Sequence, residues 1–405
     1  MSSAGTSSLA IGLRPKRVCV LAYTFYETDG RVMRYAEALV NRGFAVDAIV
    51  LRRDGQAVED DVRGVRVLRV QARQKNERSK YSYLLRILRF FVRSMVEITR
   101  RHLKQPYDVV HVHSVPDFEV FSALVPKLMG AKVILDIHDI VPEFYAAKFG
   151  VSQQSLVFRS LKLIEKASTS FADHVIAAND LWLEKLVGRA VRRDKCTAFI
   201  NYPDLSVFSP SLRQRSDDGK FVLVYPGTLN WHQGLDIAIR AFAIAHREAP
   251  QLMFDIYGEG PETERLARLV SELGLVDCVR LHPPRPLRDI AQVMADADLG
   301  VVPKRNDSFG GEAFSTKILE FMAVGVPVVA AETRIDRHYF NDSLIHFFEP
   351  DNAEGLARAL LSAYRDRQRS RERASNALRF VELNSWGERK HDYLALVERL
   401  ADARA

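Results

Sequence analysis

Two glutamates eight positions apart, Glu312 and Glu320, stand out in this chain of 405 residues. Between them lie Ser315, Thr316 and Lys317, followed by good helix formers as far as Ala323. A carboxylate accepts paired hydrogen bonds from vicinal hydroxyls, so each glutamate could hold a sugar ring. A helix start offers unpaired N–H groups and partial positive charge, which suits a phosphate. Eight residues at helical rise span roughly 12 Å, about the length of a diphosphate carrying a sugar at each end. One glutamate could then hold a hexose and the other a ribose, with the diphosphate beside Lys317. The plain alternative is an i, i+3 pair between Lys317 and Glu320, with Glu312 an ordinary loop acid.

The elements around these residues are readable. Gly310 and Gly311 open the stretch, where a backbone can approach a ligand closely. Ser315 and Thr316 occupy the place of an N-cap ahead of a helix over 317–323. Gly325 and Pro327 end that helix, and residues 326–331 read as a buried strand. This segment resembles, almost residue for residue, the Glu-x7-Glu signature and the Gly-x-Pro-Val-Val tail of the retaining nucleotide-sugar glycosyltransferases of family four. The resemblance covers nearly the whole chain and implies an α/β fold of GT-B type. That is two Rossmann-like, doubly wound parallel-sheet domains facing a cleft, with a C-terminal helix crossing back to the first. It also implies that Glu312 contacts the donor hexose and Glu320 the ribose, and that transfer retains configuration without a metal.

Earlier in the chain, a strand over 17–23, a helix over 31–40 and a strand over 45–51 make a βαβ opening. The first turn has no Gly-x-Gly-x-x-Gly, which argues against a dinucleotide site. It does set Asp29, Gly30, Arg31 and Arg34 at a helix start above the strand ends, where open α/β sheets bind ligands. Family members often carry Arg-Val-x-Arg here, so the resemblance puts Gly30 and Arg31 in donor binding; Arg34 reads as a solvated helix charge. Two further strands, over 107–113 and 132–138, run into His and Asp. His111 and His113 share a strand face, but no third ligand lies near them in sequence, and a metal is discounted. His138, within Asp136-Ile-His-Asp139, matches the position where the family often has a His beside the reacting sugar.

A Ser-, Pro- and Asp-rich run over 206–219 reads as a linker. It separates an acceptor-binding domain, 1–212, from a nucleotide-sugar-binding domain, 213–384, with the final helix in 385–405. In the second domain a strand over 221–227 leads to Gly227 and Thr228. Many family members have Gly-Arg there with a Lys five residues later, both holding the donor diphosphate. This chain has Thr228 and Gln233 instead, and Thr supplies no charge. The cations left to hold the diphosphate are Lys317 and, beside the glutamate loop, Lys304 or Arg305. The residues expected in catalysis are thus His138, Glu312 and Lys317, and those expected at the donor are Gly30, Arg31, Gly227, Thr228, Ser315, Thr316 and Glu320, with no metal and no cofactor.

Composition is that of a globular protein, 47% hydrophobic and 27% charged, with three well-separated cysteines. They read as buried thiols of a reducing compartment, and no signal peptide or membrane span is evident, so a cytoplasmic protein is expected. The net charge of +7 is largely local, since residues 71–106 carry ten Lys or Arg against two Glu. Leu84, Leu88, Phe91, Val92, Met95 and Ile98 recur there at helical spacing and read as a core-facing stripe. The arginines and aromatics beside them, including Tyr81 and Tyr83, mark either a solvated basic face or a surface for an anionic membrane. No nucleic-acid-binding module accompanies the charge. Expected partners are a nucleotide-sugar donor and a saccharide or lipid-linked saccharide acceptor. Two rivals stand beside a transferase: a sugar-nucleotide epimerase of the same architecture, and a non-catalytic nucleotide-sugar-binding subunit.

Overall fold

The structure, a computed structural model, describes residues 14–73, 80–216, 218–307 and 309–403. These fall into two compact units. One comprises the described residues within Met1–His138, Ile164–Val175 and Asp392–Ala405; the other comprises Asp139–Leu163 and Ile176–His391.

The first half of the chain runs β1 (Arg17–Ala22), α1 (Gly30–Asn41), β2 (Ala45–Arg52), β3 (Glu59–Val62), β4 (Val65–Ala72), α2 (Lys80–Lys104) and β5 (Val109–His113). It continues with α3 (Leu124–Leu128), β6 (Lys132–Ile137), α4 (Val141–Phe149), α5 (Leu156–Phe171), β7 (His174–Ala177), α6 (Asp180–Val187) and β8 (Cys196–Ala198). The sheet order is β3-β4-β2-β1-β5-β6-β7-β8. Strands β4-β2-β1-β5-β6 pair in parallel. Almost every residue of β1, β2, β5 and β6 is buried, as a sheet covered on both faces requires. The order reverses between β1 and β5, the switch point at which such sheets bind ligands.

The second sheet is built from β9 (Phe221–Pro226), α7 (Leu235–Glu248), β10 (Leu252–Tyr257), α8 (Thr263–Glu272), β11 (Val279–His282), α9 (Leu287–Ala295) and β12 (Leu299–Val302). Then come α10 (Thr316–Ala323), β13 (Val328–Ala331), α11 (Arg334–Tyr339), β14 (His346–Phe348), α12 (Ala353–Arg365), α13 (Arg367–Leu383) and α14 (Trp386–Asp402). Its order, β11-β10-β9-β12-β13-β14, is parallel throughout. Leu223 and Tyr225 of β9 point into the core formed with α7, α8 and α12. Val224 points the other way, into the core formed with α9, α10 and α13. That alternation buries both faces of one strand. The whole arrangement is the doubly wound pair of sheets expected from the sequence. Helix α14 begins in the second unit and belongs to the first from Asp392 onward.

Several elements differ from the sequence reading. Strand β3, Glu-Asp-Asp-Val, carries three acids where strands disfavour them, and it pairs antiparallel with β4 at the sheet edge. Among the described side chains of α2 the buried ones are Ile87, Phe90, Ser94, Ile98 and His102. The stripe expected to face the core is largely outside it: Leu84, Leu88 and Val92 are each 44% exposed or more. Spacing alone cannot distinguish the two faces when both carry apolar residues. Tyr81 and Tyr83 lie outside the described side chains. The run over 206–219 is fastened to the second unit, where Phe208 joins the core and Asp296 accepts from the backbone N–H groups of Gln214 and Arg215.

Candidate active site

Three loops at the carboxyl ends of β9, β10 and β11 meet the start of α10. The first two pack backbone on backbone: Gly227 N–H donates to Tyr257 O at 2.8 Å, and Leu229 N–H to Glu259 O at 3.0 Å. Gly258, at φ +150°, has no room for a Cβ, which would run into the Gly227 carbonyl. The loops and α10 enclose a pocket of about 460 Å³ lined by Gly227, Thr228, Tyr257, Glu259, Arg285, Thr316, Lys317 and Glu320. Five of the residues assigned from the resemblance therefore share one cavity at the switch point between β9 and β12.

Lys317 dominates the electrostatics of this pocket. Its side chain lies over Gly227, where any Cβ would collide with its Cε and Nζ. Its ammonium sits 5.4 Å from the centroid of the Tyr225 ring. No hydrogen bond or ion pair to it occurs among the described residues, so the expected alternative, an i, i+3 pair with Glu320, does not form. Burial depresses its pKa, and Lys304 lowers it further while Glu320 works the other way. A partly desolvated cation at a helix N-terminus, paired with no acid among the described residues, suits an anion.

The other two candidate cations are committed elsewhere, which corrects the sequence expectation. Lys304 is 5% exposed, bound to Asp336 at 3.0 Å and to the Ala313 carbonyl at 2.7 Å. Arg305 grips both oxygens of Asp236 at 2.8 and 2.7 Å, pairs with Asp351, and stacks on Trp231. Gln233, at the place of the usual second cation, is tied to the Tyr225 hydroxyl at 3.0 Å. Thr228 is exposed, and its carbonyl accepts from the same hydroxyl.

The loop ahead of α10 owes its shape to itself. Asp307 Oδ1 accepts from the N–H groups of Phe309 and Gly310 at 2.8 and 2.6 Å, and a Cβ at Gly310 would meet the Arg305 carbonyl at 2.7 Å. The glycine pair is thus required by the turn's own packing, and not only by a ligand's approach. Ser315 holds the N-cap position in extended conformation, but its side chain makes no capping bond. Glu312 is outside the lining of the pocket. Its carboxylate pairs with Lys185 of α6 and lies 3.4 Å from Arg334, and its carbonyl accepts from Asn179 at 3.0 Å.

A second constellation occupies the strand ends of the first unit. Asp136, fully buried at the end of β6, binds Arg31 through both oxygens, with Nε and one terminal nitrogen at 2.9 Å each. His113 Nδ1 lies 3.3 Å from Asp136 and 3.0 Å from Nε2 of His138, which is itself 3.4 Å from Asp136. Burial pushes the Asp136 pKa up, but Arg31 and the histidines hold it well below the usual carboxylate range. Burial keeps His111 and His113 neutral. His111 Nδ1 meets the hydroxyl of Tyr393, delivered by α14, at 2.9 Å, and Tyr393 stacks on Tyr35 at 4.2 Å. Gly30 is exposed, at the first position of α1, behind an N-cap in which Asp29 accepts from Val32 N–H at 3.1 Å.

The expectation that no third ligand accompanies the two histidines is overturned: His111, His113 and Asp136 bring ligand atoms within 4.8 Å of one another. The carboxylate is nevertheless closed by a bidentate guanidinium, and a dication would have to share it with that charge. The set does not fit a metal. Sequence reasoning missed Asp136 as the hub, although its Asp-x-His-Asp motif was in view. Arg285 lies in a Pro-Pro-Arg-Pro run that carried no assignment. Lys185 and Tyr393 gave no local signal.

Comparison with known proteins speaks to the family and the fold. Residues 30–201 match the family model "Glycosyl transferase 4-like domain", and residues 211–379 match "Glycosyl transferases group 1". A D-inositol 3-phosphate glycosyltransferase of Thermomonospora curvata is 27% identical over 88% of this chain and 86% of its own length. An exopolysaccharide phosphotransferase of Streptomyces coelicolor is 32% identical over 52% of this chain, but the match spans only 20% of that protein. Among solved structures, sucrose-phosphate synthase of Thermosynechococcus elongatus superposes with a TM-score of 0.78 at 19% identity, covering 96% of this chain and 100% of that one. HepE of Anabaena, solved with UDP and glucose, gives 0.71 at 17% identity, covering 94% and 99%. Two family models that together span most of the chain, over two doubly wound sheets, establish it as a GT-B glycosyltransferase of the group 1, 4-like family.

Proposed function

We propose that the protein transfers a hexose from a nucleoside diphosphate sugar to a saccharide acceptor, lipid-linked in polysaccharide or glycolipid assembly. Transfer retains the anomeric configuration and needs neither metal nor cofactor. The observation that carries the reading is Lys317, a half-buried ammonium that pairs with no acid among the described residues, at the start of α10 in a pocket that also presents Glu320. The diphosphate lies against the helix N-terminus and Lys317, with the hydroxyls of Thr316 and Thr228 in reach of its oxygens. Glu320 accepts from the ribose hydroxyls, and Glu312 serves the hexose. Retention and metal independence rest on the family resemblance, supported by protein groups that supply the positive charge a metal would otherwise bring.

In the reaction the bond from the anomeric carbon to the diphosphate oxygen breaks, a bond to the acceptor hydroxyl oxygen forms, and the hydroxyl's proton passes to the departing diphosphate. Positive charge grows on the sugar ring and negative charge on the departing diphosphate. Lys317 and the α10 amides are fixed before the reaction begins, so they stabilise that negative charge without reorganising. His138, its Nε2 against His113, contacts the sugar or the acceptor. HepE was solved with UDP-glucose, which makes that compound the first donor to try. The three cysteines are buried and free, which suits a cytoplasmic protein.

The test is incubation with UDP-, GDP- and ADP-sugars, with and without lipid-linked acceptors, following nucleoside diphosphate and product. Release of nucleoside diphosphate that requires an acceptor supports transfer. Turnover of the sugar without release identifies an epimerase, and binding without turnover identifies a non-catalytic subunit. Either of the last two outcomes overturns the reading.

A further inference from the structure

At the ends of β5 and β6 three polar atoms meet: Oδ2 of Asp136, Nδ1 of His113 and Nε2 of His138. The two ring nitrogens lie 3.0 Å apart, and each also approaches the carboxylate, at 3.3 Å for His113 and 3.4 Å for His138. Two neutral imidazoles at that distance share one proton, so one ring donates and the other accepts. Which nitrogen of a histidine is protonated is set by the bond its other nitrogen makes, so the choice at His113 passes to His138.

The surroundings decide that choice. Despite its burial, Asp136 is kept ionised by Arg31 on both oxygens, so it can only accept. Burial holds His113 neutral, and its Nε2 is buried with no partner among the described residues. A proton on Nε2 would be an orphaned buried N–H, and the Nδ1 lone pair would then face the carboxylate. A proton on Nδ1 is used by both Asp136 and His138, and only a lone pair stays unpaired, the lesser cost. The ring is held for this task, packed on His111 at 4.2 Å and on Tyr35 at 5.7 Å between centroids. His111 does not compete, since its Nδ1 meets Tyr393 and its Nε2 stands 3.9 Å from Asp136. His138 Nε2 therefore accepts, and the proton of a neutral His138 sits on Nδ1. That nitrogen makes no bond among the described residues, on a side chain 23% exposed.

We propose that His113 is a positioning residue for transfer: its Nδ1–H fixes His138 in the tautomer that presents Nδ1–H to the substrate. His138 thereby donates a hydrogen bond to an oxygen of the sugar or the acceptor, and it does not act as the base. The acceptor hydroxyl's proton goes instead to the departing diphosphate oxygen. The proposal rests on the reading of His138 as a substrate contact, but the tautomer itself can be measured without turnover.

The test is nitrogen–proton correlation NMR of the full chain with isotope-labelled histidine, which reports the protonated nitrogen of each ring. Signals are assigned by their loss in His113→Phe and His138→Asn. The wild type is expected to show Nδ1–H on both His113 and His138, a result that needs no variant to fold. In His113→Phe the donor is gone, and His138 should move its proton to Nε2 and donate to Asp136. His113→Asn, whose amide replaces the Nδ1–H, should keep the wild-type tautomer of His138. In transfer assays His113→Phe should lower kcat about tenfold, the worth of one hydrogen bond, and His113→Asn should recover most of it. His138→Asn keeps an N–H donor in the place of Nδ1 but cannot serve as a base, so it should outperform His138→Leu. A proton on Nε2 of His138 in the wild type, an unchanged tautomer or full transfer in His113→Phe, or equal loss in His138→Asn and His138→Leu would each overturn the proposal. The expected tautomers in a wild type that transfers no sugar would confirm the hydrogen-bond assignment and refute the transferase reading instead.

Discussion

Arg31 and Asp136 form a bidentate pair, two N–H···O bonds of 2.9 Å each, in which the carboxylate is wholly buried. Helix α1 thereby fastens to the end of β6, and the same carboxylate orients His113 and His138. Arg31 is thus a positioning residue in this structure, whatever contact it also makes with a donor. Arg31→Met leaves a buried charge without its partner and should cost about 3–5 kcal/mol in urea unfolding. Arg31→Met combined with Asp136→Asn should recover part of that loss, since the charge is then gone as well. If the single variant is as stable as wild type, the pair does not organise the unit.

Lys317 gives the most direct binding prediction. Lys317→Met should weaken nucleoside diphosphate affinity roughly 10- to 100-fold, the range of a hydrogen bond to a charged group in a desolvated site. Burial depresses the lysine's pKa, and a bound diphosphate favours the ammonium, so binding takes up a proton once the pH exceeds that of the free group. Affinity should therefore fall with rising pH earlier than an ordinary lysine would allow, and Lys317→Arg should remove that fall. Calorimetry between pH 7 and 10 reads both.

Glu312 and Glu320 should separate by measurement. Glu320 lines the pocket, so Glu320→Gln should weaken nucleoside diphosphate binding about tenfold. Glu312 is held by Lys185 and Arg334 outside that lining, so Glu312→Ala should abolish transfer yet leave nucleoside diphosphate affinity intact. Lys185→Met, which frees the Glu312 carboxylate, should lower kcat with little change in donor KM. Full transfer by Glu312→Ala with a verified donor would refute its role.

Thr228 stands exposed at the pocket edge, at the position where the family resemblance leads one to expect an arginine. Thr228→Arg should add a second cation at the diphosphate and tighten binding about tenfold, with a steeper salt dependence. No gain would mean that Lys317 and the helix start already satisfy the phosphates.

Glu119 provides a pH test of stability in the first unit. It is 1% exposed, and burial raises its pKa from 4.5 to about 8. Its folded-state pKa lies above the unfolded value, so its stabilising effect is complete below pH 4.5 and is lost as pH rises toward 8. Glu119→Gln should flatten the decline of the urea midpoint between pH 5 and 8. An unchanged slope would place the proton elsewhere.

The sequence by itself carried the alternation of strands and helices, because buried parallel strands are continuous apolar runs and helices keep their caps and periodicity. It carried the glutamate–lysine helix for the same local reason, since loop, cap and helix are contiguous. Strand β3 escaped because its acids deny the propensity that marks a strand, and only pairing with β4 makes it one. The faces of α2 escaped because an apolar stripe looks alike whether it meets a core or lies open. Lys304, Lys185 and Tyr393 could be placed only by tertiary structure. Which lysine stays free for a phosphate depends on which aspartate the fold brings beside each of its rivals. Asp336 and Asp236 take Lys304 and Arg305, while no acid among the described residues pairs with Lys317, and no spacing in the chain encodes that choice.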